Sequence, residues 1–280
     1  MALSVIVSTY NSPDSLLRLL YSLAYQTYRD FEVLIADDGS DGETAETIRQ
    51  AELETGLSIR HLWHEDQGFR KNTILNRAVM ASHNEYLVFL DGDCVARADL
   101  IETHATSARP RKVLTCGSQI DVPPEVHTHL TRSAIAAGKP FDPKWLSAHG
   151  FSWPQLFFSE KRFRLRCRRP LSTILDAMLP RSGGFVGCNS SAWKSDLLKV
   201  NGFDESITYG VDDKDLAIRL TNAGVHARRL KFSLVYVHLD HPRAYANADA
   251  IERNRRLIRR RKQEGVVWVE SGIKKSREAA

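Results

Sequence analysis

Leu3-Ser4-Val5-Ile6-Val7-Ser8-Thr9-Tyr10-Asn11-Ser12-Pro13-Asp14 passes from a short apolar run, through a polar turn, into a helix start. The apolar run reads as a buried strand, and Pro13 stands where a helix tolerates proline, in its first turn. Leu16, Leu19, Leu20 and Leu23 then recur at helical spacing and mark one buried face. The phrase repeats. Phe31 to Ala36 is a second strand, Asp41 is placed to cap a helix with Glu43 and Glu46 near its positive end, and Gly56 ends it. Ile59 to Trp63 is a third strand, about Lys71 to Ser82 a helix, and Tyr86 to Leu90 a fourth strand. Strands alternating with helices predict an α/β fold: a mixed, mainly parallel sheet flanked by helices, with ligands bound beyond the carboxyl ends of the strands.

Polar clusters fall at three of those ends: Thr9-Tyr10-Asn11, Asp37-Asp38-Gly39-Ser40 and Asp91-Gly92-Asp93. Two carboxylates two residues apart suit a hard divalent cation, Mn²⁺ or Mg²⁺, which takes one or two of them and leaves positions for phosphate oxygens. A carboxylate in the second cluster can accept from a base N–H or from ribose hydroxyls, and Tyr10 can stack on a base. Each cluster alone also suits a solvated turn. Three at three strand ends make one crevice.

Bulk properties set the frame. The chain has 280 residues, 42% of them hydrophobic and 26% charged, enough for one sizeable core with a small appended part. A net charge of +5 and a pI near 9.0 admit an anionic partner without choosing among nucleotide, nucleic acid and acidic membrane. Four widely spaced cysteines with no Cys-x-x-Cys pair argue against a zinc site and fit free thiols in a reducing cytoplasm. No signal peptide is read at the start, and nowhere do about 18 apolar residues run together to cross a membrane.

The ordered set Val5-Ile6-Val7-Ser8-Thr9-Tyr10-Asn11, Gln26-Thr27-Tyr28-Arg29-Asp30-Phe31-Glu32-Val33, Asp37-Asp38-Gly39-Ser40, Asp91-Gly92-Asp93 and Asn201-Gly202-Phe203-Asp204-Glu205 resembles the family 2 glycosyltransferases, which have the GT-A fold. The resemblance covers about residues 3–120 and 183–242. It implies an inverting transfer of a hexose or deoxyhexose from a UDP- or dTDP-sugar. It implies that Thr9, Tyr10, Asp37 and Asp38, with Asn11 in the same turn, hold the nucleoside, and that Asp93, with Asp91, holds the metal and diphosphate. Gln67-Gly68-Phe69-Arg70-Lys71-Asn72 is similar to a motif of members that build bacterial surface polysaccharide or lipopolysaccharide; Arg70 and Lys71 there can meet phosphate oxygens. In Gly210-Val211-Asp212-Asp213-Lys214-Asp215 the family pattern Glu-Asp-x-Asp carries Asp212 in place of Glu, and Asp213 matches the catalytic base. A helix N-terminus beginning here is expected to keep Asp213 ionised at neutral pH. By the same resemblance His238, or else His241, completes the metal site.

Gly183-Gly184-Phe185-Val186-Gly187-Cys188-Asn189 is expected to form a backbone wall near the donor sugar, with Gly184 and Asn189 at the sugar, Asp212 beside it and Trp193 as an acceptor platform. Domain organisation is read as a transferase domain over 1–245 and a basic tail over 246–280. Within the domain, 1–120 binds the nucleotide, 121–182 is a variable acceptor-side segment and 183–245 is the catalytic half. Asp212 to Gly224 reads as a helix and about Ala227 to Val237 as one strand. Two basic stretches, Lys161 to Arg169 and Arg253 to Lys262, can lie on an anionic inner leaflet, as a lipid-linked or other saccharide acceptor would require; nucleic acid is not expected. Two rivals stand beside the transferase. One is a sugar-phosphate nucleotidyltransferase, which normally needs a Gly-rich phosphate loop where this chain has Thr9-Tyr10-Asn11. The other is a non-catalytic polyanion- or membrane-binding protein, against which the acidic strand ends count.

Overall fold

The structure, a computed structural model, describes residues 1–116, 119–151, 160–179, 183–208, 210–240 and 248–275. Strands β1 (Leu3–Thr9), β2 (Phe31–Asp37), β3 (Ile59–Trp63) and β4 (Tyr86–Asp91) alternate with helices α1 (Pro13–Ala24), α2 (Gly42–Thr55) and α3 (Lys71–Ala81). All four strands are parallel, with β1 between β2 and β4. Both faces of this sheet are covered, so each strand sends apolar side chains to both sides. Leu3, Val5 and Val7 meet the α1 leucines on one face, while Ile6, Leu34 and Phe89 meet Ile74, Leu75 and Val79 of α3 on the other. Gly56 ends α2 in the left-handed conformation, as read from the sequence; Asp41 occupies the cap position of that helix without a side-chain capping bond.

Beyond β4 the chain adds β5 (Cys94–Ala96), α4 (Leu100–Ser107), β6 (Lys112–Cys116) and β7 (Ile120–Val122). The variable segment over 121–182 carries, among its described residues, the short helices α5 (Pro124–His127), α6 (Arg132–Ala136), α7 (Pro143–Ala148), α8 (Glu160–Arg166) and α9 (Leu171–Met178). Next come β8 (Asn189–Trp193), α10 (Lys194–Lys199), α11 (Asp212–Asn222), β9 (His226–Leu230), β10 (Tyr236–Leu239) and α12 (Ala248–Glu264). The main sheet has seven strands in the order β3-β2-β1-β4-β8-β6-β9, and β5-β10-β7 form a second sheet of three. Strand β8 is antiparallel to both β4 and β6, which makes the main sheet mixed but mainly parallel.

Two features of the second half depart from the sequence reading for physical reasons. Asn189-Ser190-Ser191-Ala192-Trp193 is a central strand, and Trp193 at its end is also the N-cap residue of α10. The strand's buried serines are satisfied by side-chain bonds, Ser191 Oγ with Tyr86 Oη at 2.7 Å and Ser190 Oγ accepting from Val186 N at 2.9 Å, so no apolar alternation betrays it. The single strand expected over 227–237 is two strands in two sheets, separated by a turn at Lys231–Ser233. Among the described residues no helix is long and apolar enough to cross a membrane.

Candidate active site

Parallel pairing aligns the strand ends. Thr9 stands opposite Asp37, and Ser8 opposite Asp91, so the three polar clusters open on one edge of the sheet. Asp38 follows, its amide donating to Thr9 O at 3.0 Å. One Asp38 carboxylate oxygen bonds His64 Nε2 at 2.8 Å and the other accepts from the Arg70 amide at 3.0 Å. Burial pushes the Asp38 carboxyl above its ordinary value, and the bonds from His64 and Arg70 work against that shift. Asp37 is fully buried and spent on the turn: one oxygen accepts from Ser40 N at 2.8 Å and the other meets His61 Nε2 at 2.8 Å. Asn11 likewise staples two turns, its amide donating to Ser40 Oγ and its side-chain oxygen accepting from Asp41 N. These two residues, expected at the nucleoside, shape the edge on which Asp38 and the exposed Tyr10 ring sit. Gly39, at φ +96°, lets this turn pass so close to Asp66 that a Cβ would stand 2.7 Å from its Cα.

His64 was missed in the sequence. It follows β3, the one strand end among the first four whose polar run, His64-Glu65-Asp66, went unread. Asp66 accepts from Tyr10 Oη at 3.0 Å and from Gly68 N at 2.9 Å, which ties this fourth turn to the first.

Arg70 caps α3 and its guanidinium is held by the Glu65 carbonyl. Lys71, expected at phosphate, extends to Asp91 Oδ1 at 2.7 Å, where Ser8 Oγ also donates at 2.6 Å. Asp91 is therefore held by an ammonium and a hydroxyl, apart from the contacts of Asp93. Burial acts to lower the Lys71 pKa, but Asp91, Asp212 and Asp213 together outweigh it and hold the ammonium well above the ordinary lysine value.

Asp212 and Asp213 open α11, and the Gly187 amide donates to Asp213 Oδ2 at 2.7 Å. A Cβ on Gly187 would come within 2.9 Å of the Asp213 carboxylate, so only glycine permits this approach. The helix N-terminus is not alone in setting the ionisation of Asp213. Burial first, then the neighbouring Asp212 carboxylate, push its pKa up to about 7, against the pull of Lys71 and of the Gly187 amide. Burial likewise raises Asp212, opposed by Lys71.

Asp93 lies beside the second sheet. Its Oδ2 is 3.4 Å from His238 Nε2, and His238 Nδ1 is 3.2 Å from Asp121 Oδ1. Register fixes this cluster, because His238 stands opposite Cys94 on one side and Asp121 on the other. Two donors about 2.1 Å from one hard cation and at right angles to it are about 3 Å apart, close to the Asp93–His238 separation. Among the described residues no three His, Cys, Asp or Glu side chains converge to hold a metal ion. His241 lies outside the described residues.

Of three further sugar or acceptor candidates, Trp193 lies away from the carboxylates, whereas Asn189 is paired with Leu90 beside Asp91 and Gly184 lies against the helix of Asp213. Trp193 stands opposite Tyr86, at the end of β4 remote from Asp91, packs edge-on against the Tyr86 ring at 5.0 Å and donates to Arg109 O. Asn189 is fully buried, with Oδ1 at 2.9 Å from His104 Nε2, and burial pushes that imidazole down to about 4. Gly184 packs against α11, where a Cβ would lie 3.2 Å from Ala217 Cβ. The glycine at the carboxylates is Gly187.

Residues 4–172 match the model of glycosyl transferase family 2. The chain belongs to that family. A second model, described as the N-terminal domain of galactosyltransferase, matches residues 171–242 and takes in α11 with Asp212 and Asp213. A validoxylamine A glucosyltransferase of Streptomyces hygroscopicus subsp. jinggangensis is 30% identical over 239 residues, covering 80% of this chain and 52% of that protein. The chain spans about half the length of such curated relatives. Among solved structures, the mannosyltransferase PcManGT of Pyrobaculum calidifontis, in complex with GDP-Man and Mn²⁺, superposes with a TM-score of 0.57 at 18% identity, over 93% of this chain and 61% of that one. TarS of S. aureus in complex with UDP-GlcNAc gives 0.58 at 19% identity, over 92% and 65%. These likenesses show the fold, which is that of the GT-A glycosyltransferases.

Proposed function

We propose that this family 2 transferase moves a sugar from a nucleoside-diphosphate donor to a saccharide hydroxyl, with inversion at the anomeric carbon. One observation carries the reading. Asp38, Asp91 and Asp213, far apart in sequence, are strung along one edge through Arg70 and Lys71, and the last of them is a half-buried carboxyl whose pKa is pushed up to about 7.

Asp38 and Tyr10 would meet the nucleoside, Tyr10 by stacking and Asp38 by accepting from base or ribose. Lys71 and Arg70 supply positive charge where the diphosphate would lie. Asp213 would accept the proton of the acceptor hydroxyl as its oxygen attacks the anomeric carbon. Its near-neutral pKa suits that task, because a base works best when its pKa lies near the working pH. The Gly187 amide holds the carboxylate in place meanwhile. The donor set of Asp93 and His238, one carboxylate and one imidazole, fits a divalent cation, Mn²⁺ more readily than Mg²⁺. Such a cation supplies charge neutralisation to the leaving diphosphate. The solved neighbours bound to GDP-Man with Mn²⁺ and to UDP-GlcNAc support a nucleotide-sugar donor, and the galactosyltransferase-type match supports a hexose. A UDP- or dTDP-hexose or deoxyhexose, and a cell-surface saccharide such as lipopolysaccharide made on the cytoplasmic side of the inner membrane, complete the proposal.

The test is a thermal-shift screen of nucleotide sugars with Mn²⁺ or Mg²⁺, followed by donor turnover and NMR of the product's anomeric centre. A metal-dependent rise in melting temperature with one donor class, and an inverted product, are expected. No shift with any nucleotide sugar, or retention of configuration, would overturn the reading.

A further inference from the structure

Helix α9 is built inside out. Its polar residues Ser172 and Asp176 are buried, whereas Leu171, Ile174 and Met178 are 47%, 55% and 77% exposed. Spacings of three and four put those three on one face of the helix. The burial of Asp176 has a local cause: its two carboxylate oxygens accept from Phe232 N at 2.8 Å and Ser233 N at 3.0 Å, pinning the helix to the turn after β9. Nothing in that anchor requires an apolar outer face. A fourth exposed apolar side chain, Phe163 of α8, packs edge-on against Phe232 beside the same turn.

Basic side chains adjoin the stripe. Arg166, Arg168 and Arg169 are exposed just before α9, and Lys161 and Arg162 are half-buried in α8. Over residues 160–179 the acids are Glu160 and the buried Asp176. Arg166 stands in the last turn of α8 and Arg168 donates to Leu165 O at 2.7 Å, both favourable at that helix end, and Arg169 reaches Thr106 Oγ1; the three side chains still leave their charge at the surface beside the stripe. Position also matters. Leu230 ends β9 beside Cys116, and Thr115 pairs with Ser190 next to the Asn189–Leu90 pair, so the turn that α9 grips lies at the end of the sheet that carries Asp91.

We infer that this face docks on an anionic bilayer surface, with Leu171, Ile174 and Met178 in the interfacial layer and the arginines on lipid phosphates. Charge favours a bilayer over a second copy of the chain, because lipid phosphates are opposite in sign to the basic rim of the stripe, whereas a second copy would bring two such basic surfaces together. It also separates the two basic stretches. In α12, Arg261 turns inward to bridge Asp204 and Asp215, and Leu257 and Ile258 are half-buried. The apolar stripe of α9 has no such cover among the described residues. The inference concerns a surface outside the transfer site and does not rest on the donor chemistry.

The full chain would be floated with vesicles of phosphatidylcholine alone and of phosphatidylcholine with phosphatidylglycerol, at low and at 0.5 M salt. Binding at least about tenfold stronger to the anionic vesicles, weakened by salt, is expected. Ile174→Asp with Met178→Asp should lower it about tenfold or more, and Arg166→Gln with Arg169→Gln should lower it and flatten its salt dependence. The melting temperature of each variant, with and without a UDP-sugar, reads folding and the donor site separately. Parent and folded variants binding alike, equal binding to neutral vesicles, or light scattering that shows a dimer broken by Ile174→Asp with Met178→Asp would each overturn the inference. If the double aspartate variant does not fold, the arginine pair carries the test alone.

Discussion

Carboxylates on the two sides of Lys71 live under opposite conditions. On the nucleoside side, Asp37 and Asp38 each meet an imidazole and a backbone amide, so each oxygen has its own donor. On the transfer side, Asp91, Asp212 and Asp213 crowd around one ammonium, and Asp213 is pushed up to about 7. The first arrangement is a frame, rigid because it is satisfied. The second is electrostatically unsatisfied and therefore able to exchange a proton near neutrality. One α/β edge holds both because the donors of the frame come from local turns, whereas the crowding requires a helix delivered from 120 residues farther along the chain.

The comparison breaks first, and most visibly, at Asp213. Asp213→Asn should lower transfer by about 10² to 10⁴-fold, with the thermal shift caused by the nucleotide sugar retained; transfer at the parent rate would remove Asp213 from its role. Stability should move the other way. Between its unperturbed value of 3.8 and about 7 the folded chain keeps a proton that the unfolded chain has released. The stability this group contributes therefore falls as pH rises through that window and is fully lost above it. Without metal or donor, Asp213→Asn should melt higher than the parent at pH 8, by an amount that shrinks at pH 5.

Lys71→Met comes next. It leaves three carboxylates without their ammonium, at a cost of about 3–5 kcal/mol if they stay ionised. The acid limb of the pH–rate profile should move upward by about one unit or more, and an unmoved limb would separate Lys71 from Asp213. On the frame side effects are smaller. His64→Ala leaves one Asp38 oxygen unpaired and should raise the donor KM about tenfold, with kcat nearly unchanged. A fall in kcat alone would place His64 on the transfer side. Least of all, Trp193→Phe loses one hydrogen bond to Arg109, about 1 kcal/mol of stability, and should leave the acceptor KM within about twofold. A large rise in that KM would return Trp193 to the acceptor.

Legibility followed the same divide. The frame was read almost to the residue, because β1 to β4 are apolar runs punctuated by turn residues and their polar ends are local in sequence. The two imidazoles escaped, His61 inside β3 and His64 in a run that looked like an ordinary loop. Strand β8 was invisible because its buried positions are serines whose partners, Tyr86 and His104, come from other elements. Trp193 was misplaced with it, since an unseen strand cannot give the direction of its side chains. The upward pull on Asp213 was not legible, because the helix dipole can be inferred from sequence but burial and the proximity of Asp212 cannot.

By itself the sequence determined the parallel α/β frame, the family and the carboxylates that gather at the strand ends, because periodicity and turn chemistry are local properties of a chain. Only the tertiary structure decided which carboxylates are spent on turns, which glycine meets Asp213, that His238 faces Asp93, and that α9 turns its apolar face outward. Those facts depend on what surrounds a side chain in space, and burial and charge act through space regardless of distance along the chain.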